Sequence, residues 1–70
     1  MSYKHRLYNA AYKRFEADRE SAIATLSVYL NSAVGIGEHP DLLEVIVEQT
    51  KKLAEADEAL ETLIKHKDKF

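Results

Sequence analysis

Glu38, His39 and Asp41 place two carboxylates and an imidazole within four residues. Such ligands suit a divalent metal, and a histidine held by a carboxylate beside a nucleophile is the core of covalent hydrolytic chemistry. The spacing fits none of the arrangements that carry out those reactions: there is no His-Glu-x-x-His, no EF-hand loop and no glycine-rich phosphate loop. Metal sites in helical bundles set Glu and His inward along the helices, as in Glu-x-x-His, and the apolar stripes of this chain hold no such pair. Capping is the simpler use of the cluster. Pro40 suits a first helical position, where its missing N–H would lack a partner anyway, and Asp41 and Glu44 bring negative charge to the positive end of a helix dipole. His5 and His66 are expected near each other, facing water. The expectation is a chain with no catalytic residue, no metal, no cofactor and no small-molecule substrate.

These residues sit in the one break of the chain, Val34-Gly35-Ile36-Gly37-Glu38-His39-Pro40-Asp41, which holds both glycines and the only proline. On the N-terminal side, Tyr8, Ala11, Tyr12, Phe15, Ala22, Leu26, Tyr29, Leu30 and Ala33 recur at three- and four-residue steps, the period of a helix. On the C-terminal side, Leu42, Ile46, Leu53, Ala56, Leu60 and Leu63 continue a heptad-like stripe. The reading is one domain over residues 1–70: a helix over about 3–33, a turn over about 34–39 and a helix over about 40–67. A connection this short makes the helices antiparallel, so the fold class is an all-α antiparallel helical hairpin. Folding about Ile36 and Gly37 sets Leu30 near Leu42 and Leu43, Leu26 near Ile46, Tyr12 near Leu60, and Tyr8 near Leu63 and Ile64. Arg19 and Gln49 interrupt the apolar layers. A polar layer can fix register, but an arginine that lies its stem on the seam and keeps its head in water is the favoured account.

Seventy residues without cysteine exclude disulfides and thiolate zinc sites. Chains this short seldom bury enough to be stable unaided. Two apolar tracts show where cover is needed, residues 22–30 and residues 42–47. One stripe of each serves the hairpin mate, which leaves Ile23, Leu30, Leu43 and Val47 as a second stripe facing outward. Apolar patches of that kind mark interfaces. The expectation is a homodimer closing into a four-helix bundle.

Charge is segregated along the rod. Lys4, Arg6, Lys13 and Arg14 join Lys65, Lys67 and Lys69 at the end holding both termini, seven cations against Asp68 and a net +6. Residues 20–50 hold Glu20, Glu38, Asp41, Glu44 and Glu48 with no Lys or Arg, a net −5. The total of −2 hides this asymmetry. Phosphate contacts by the basic end, with Tyr3, Tyr8 and Tyr12 as stacking faces, would suit a nucleic acid. Dipole compensation and core tyrosines explain the same residues, and the pI below neutral disfavours nucleic acid as a partner.

No apolar run reaches the ~18 residues of a membrane span, and Met1–Arg6 lack a signal-peptide stretch. A cytoplasmic protein is expected. Ile36 between two glycines, followed by Glu38 and His39, makes a capped loop that could dock a protein partner. Equally, Ile36 could fold back as the contact that accompanies a helix cap.

The segment from Ala24 to Asp41, with Tyr29-Leu30-Asn31 and Val34-Gly35-Ile36-Gly37-Glu38-His39-Pro40-Asp41, resembles a block in small uncharacterised proteins encoded by tailed bacteriophages, especially marine and T4-like phages. Those proteins also begin with a basic, tyrosine-containing helix and end in a charged one. The resemblance implies a phage origin and the host cytoplasm, and carries no catalytic or binding residue. The expected role is a non-enzymatic interaction or adaptor protein for a host or phage protein. The alternative is a nucleic-acid-associated accessory factor using the basic end.

Overall fold

The computed structural model describes residues 3–31 and 41–70. Helix α1 spans Tyr3–Asn31 and helix α2 spans Leu42–Lys65, followed by a 3-10 turn, Lys67–Lys69. The two helices pack along their length as a hairpin, a rod of 53 × 16 × 15 Å. The fold is all-α. No helix among the described residues is long and apolar enough to cross a membrane. The expected turn over about 34–39, and residues 32–33 expected to end the first helix, lie outside the described residues.

The helix ends follow from local chemistry. Helix α2 carries Glu44 in its first turn and Lys65 in its last, both of the sign its dipole favours. Its first bond runs from the Val45 N–H to the Asp41 carbonyl at 3.0 Å. Asp41 stands at the N-cap, but its carboxylate makes no capping hydrogen bond. At the other end the His66 N–H reaches Thr62 O at 3.1 Å, and the Lys69 N–H reaches His66 O at 2.8 Å. The tighter turn thus satisfies carbonyls that an abrupt end would leave free. Helix α1 is the opposite case: it has no acid in its first turn and no base in its last. Its polar interior residues bond back along the helix, Thr25 Oγ1 to Ser21 O at 2.9 Å and Asn31 Nδ2 to Ser27 O at 2.8 Å. Thr50 Oγ1 does the same to Ile46 O at 2.7 Å in α2. Such back-bonding keeps hydroxyl and amide groups partnered on a helix.

The seam between the helices is a heptad. Tyr8, Tyr12, Phe15, Arg19, Ala22, Leu26 and Tyr29 of α1 are half-buried or buried, as are Leu42, Ile46, Gln49, Leu53, Ala56, Leu60 and Leu63 of α2. Their steps alternate between four and three, the period of helices that coil about each other. Yet only Ala22, Ala56 and Leu60 are buried, rather than half-buried, among the described residues. Two alanines let the backbones approach, but they contribute little apolar area. Leu60, 5% exposed, is the one large side chain buried among the described residues.

Candidate interaction surface

The hairpin has two distinct sides. A groove of about 430 Å³ runs along one, lined by Phe15, Asp18, Ser21, Ala22, Thr25, Gln49, Lys52, Glu55, Ala56 and Ala59. It lies where small side chains of the seam, Ala22, Ala56 and Ala59, fail to fill the space beside Phe15. Phe15 and Ala22 of α1 and Gln49 and Ala56 of α2 line it together. A second hollow continues from Phe15 past Ala59 and Leu63 to Phe70.

The groove fixes which residues lie on the far side. On α1, Ile23 and Leu30 occupy the heptad position flanking Arg19 and Leu26, away from the groove. On α2, Leu43 holds the matching position beside Ile46, and Val47 the next one round. All four residues expected at a dimer interface therefore share the side opposite the groove. They are exposed, from 40% for Val47 and 41% for Ile23 to 64% for Leu30 and 71% for Leu43. Ile64, at 51% exposure, falls on the same side three heptads beyond Leu43. The groove does not figure in the expectations from sequence, and Ile64, expected against Tyr8 across the seam, is exposed instead. Ile64 shares the heptad position of Leu43, so extending the stripe by three repeats finds it. The groove has a fainter signal, the run of alanines on one flank of the seam.

At the basic end, Lys4, Arg6, Lys13, Arg14, Lys65, Lys67 and Lys69 are all exposed. Two are engaged. Arg14 Nε lies 3.7 Å from Asp18 Oδ1, and Lys67 Nζ lies 5.3 Å from the centre of the Tyr8 ring. Of the three tyrosines proposed as stacking faces, Tyr8 thus has one face occupied by a lysine, Tyr12 is half-buried and Tyr3 is exposed. Lys52 and Glu48, one helical turn apart, form an ion pair at 3.3 Å. Glu61–Lys65 and Lys51–Glu55 form no ion pair among the described residues. Ile36, Glu38 and His39, the expected docking turn, lie outside the described residues. Among the described residues, no cluster of three or more His, Asp or Glu is placed to hold a metal ion.

Comparison with known proteins adds no relative: no family model, curated protein or solved structure matches the chain.

Proposed function

We propose that this chain is a non-enzymatic interaction protein that works as a homodimer, two hairpins closing into a four-helix bundle through Ile23, Leu30, Leu43 and Val47. The supporting observation is the imbalance between what the hairpin buries and what it exposes. Among the described residues the buried side chains are two alanines and one leucine, while four large aliphatic residues stand open on one side. Covering a side chain of that size contributes up to about 1.5–3 kcal/mol when burial is complete. The bundle surface and the Ile36–His39 turn then serve a protein partner. By the resemblance stated above, that partner is a phage or host protein in the host cytoplasm.

Sedimentation equilibrium at micromolar concentration tests the dimer. The expected mass is about twice the 8.0 kDa of the chain. A single species of chain mass would defeat the reading. The turn is tested by Ile36→Ser: unchanged melting with a lost partner supports docking, and a large fall in stability assigns Ile36 to the cap. The second reading, an accessory factor on nucleic acid, draws on the seven exposed cations of the basic end. Salt-sensitive retardation of DNA or RNA near physiological salt would favour it.

A further inference from the structure

Resting on that dimer, we infer its arrangement: the second copy lies along the side opposite the groove with the two turn ends together, so that α1 of each copy packs on α2 of the other. The heptad supplies the surface. Outside the seam, a second set of positions at three- and four-residue steps runs from Arg6 to Leu30 on α1 and from Leu43 to Ile64 on α2. A helix with two such stripes side by side can serve two neighbours, as each helix of a four-helix bundle must. In the turn half the second stripe carries Ile23, Ser27 and Leu30 on α1, and Leu43, Val47 and Thr50 on α2. In the terminal half its one large apolar residue is Ile64.

The register of the hairpin decides which of these residues can meet. The groove spans residues 15–25 of α1 and 49–59 of α2, so antiparallel packing sets 15 level with 59 and 25 level with 49. A twofold axis along the rod keeps those levels from one copy to the next. Leu30 then meets Leu43 of the second copy. Val47 of the second copy stands between Ile23 and Leu30, within about a turn of each. With the turn ends apart, a whole-face overlap instead sets each apolar half against the other's terminal half, where only Ile64 answers it. Sliding the copies until the apolar halves meet gives up about half of the overlap. The rod face of 53 × 16 Å offers about 850 Å² per copy when wholly covered, close to a standard interface, and half of that falls in the range of weak contacts. Only with the turn ends together do apolar contact and whole-face overlap coexist.

The charges of the terminal half fit the same register. Lys13 falls level with Glu61 of the second copy and within a turn of its Asp57. Glu16 falls level with that Asp57, the one like-charged pair, and Lys13 lies one turn from Glu16 on the same helix. Glu20 stands level with Ala54, and Arg6 with the 3-10 turn that carries Asp68. Lys13 and Glu61 are exposed and sit off the seam of their own hairpin, and no ion pair joins them there. Their pairing is thus a contact between copies.

The chain has no cysteine, so one introduced residue labels it uniquely. Tyr3 is 84% exposed, and a spin label on Tyr3→Cys reports the distance between the two α1 starts in the dimer. With the turn ends together those starts lie across one end of the bundle, and helices 8–10 Å apart give a separation under about 30 Å. With the turn ends apart the separation is about 40 Å or more, the length of the 29 residues of α1. The short distance is the expected result. The long one overturns the arrangement and leaves the dimer standing, and chain-mass material without dipolar coupling overturns both. A second measurement reads the register by sedimentation equilibrium. Lys13→Glu is expected to raise the dimer Kd roughly tenfold, and adding Glu61→Lys to bring it back to within about threefold of the parent. An unchanged Kd for Lys13→Glu, or no recovery in the double variant, overturns the inferred pairing.

Discussion

Lys67 Nζ stands over the ring of Tyr8 at 5.3 Å from its centre. The contact ties the 3-10 turn after α2 to the second turn of α1, and so closes the open end of the hairpin. It is one of few specific contacts there, because the flanking residues Leu7, Ile64 and Phe70 are exposed. It also occupies one face of an aromatic ring at the basic end, which counts against Tyr8 as a platform for a base.

Removing the charge from this contact costs stability. Lys67→Met is expected to lose about 0.5–1 kcal/mol, the value of an exposed cation–π contact, which lowers the thermal midpoint of a chain this size by several degrees. Tyr8→Phe keeps the ring and is expected to melt within a degree or two of the parent. Thermal unfolding followed by circular dichroism compares them. Equal midpoints for Lys67→Met and the parent would remove the contact from the stabilising set.

Leu60 is the test of the small core. It is 5% exposed, whereas Leu7 is 68% exposed. Leu60→Ala is expected to cost about 2–4 kcal/mol, the range for a buried leucine truncated in place. Leu7→Ala is expected to cost no more than about 0.5 kcal/mol. Urea unfolding at one fixed protein concentration measures both, since a dimer's stability depends on concentration. Similar losses for the two would mean that the seam does not carry the fold.

The two helices and their all-α class were legible in the sequence because three- and four-residue spacing is a local, redundant signal repeated over six turns or more. The single break, with two glycines and one proline, left no rival topology of similar simplicity. Helix ends were less legible. Asp41 stands at the N-cap of α2, yet its carboxylate makes no capping hydrogen bond, an outcome decided by side-chain rotation and invisible in residue type. The alternation at the C-terminal end, Lys65-His66-Lys67-Asp68-Lys69, gives no apolar period to mark where α-helix yields to 3-10 turn. The groove beside Phe15 depends on how closely Ala22 and Ala56 bring the backbones together, a property of the pair and of neither helix alone. The exposed stripe of Ile23, Leu30, Leu43 and Val47 could be read because an apolar residue off the seam has no mate within a two-helix fold.

Gln49 offers a test of the seam at the groove. It is half-buried, lines the groove beside Ala22 and stands where the heptad calls for an apolar residue. Gln49→Leu replaces an amide that must be desolvated with apolar area, and is expected to raise stability by about 1 kcal/mol. A polar residue on a seam commonly holds register or partner number at a cost in stability. The same variant is therefore expected to broaden the distribution of oligomers seen by sedimentation velocity. A more stable variant with a single unchanged species would show that Gln49 has no part in specifying the assembly.

Charge placed in the exposed stripe separates folding from association. Leu43 and Val47 contribute nothing large to the protomer's own interior, being 71% and 40% exposed, so the double variant Leu43→Asp, Val47→Asp keeps the helical hairpin's internal contacts. In a bundle the same two positions are covered on both copies, and each buried carboxylate must be desolvated without a partner. Losing about 3 kcal/mol or more of association free energy corresponds to a Kd at least roughly a hundredfold higher. Sedimentation equilibrium reads that shift, and circular dichroism at high protein concentration reads the helix content. The expected result is chain-mass material that melts at a lower temperature and no longer shifts its midpoint on dilution, whereas the parent's midpoint falls as it is diluted. If the variant self-associates as strongly as the parent, these residues lie outside the contact, and the groove side with Phe15 and Ala59 becomes the surface on which two copies meet.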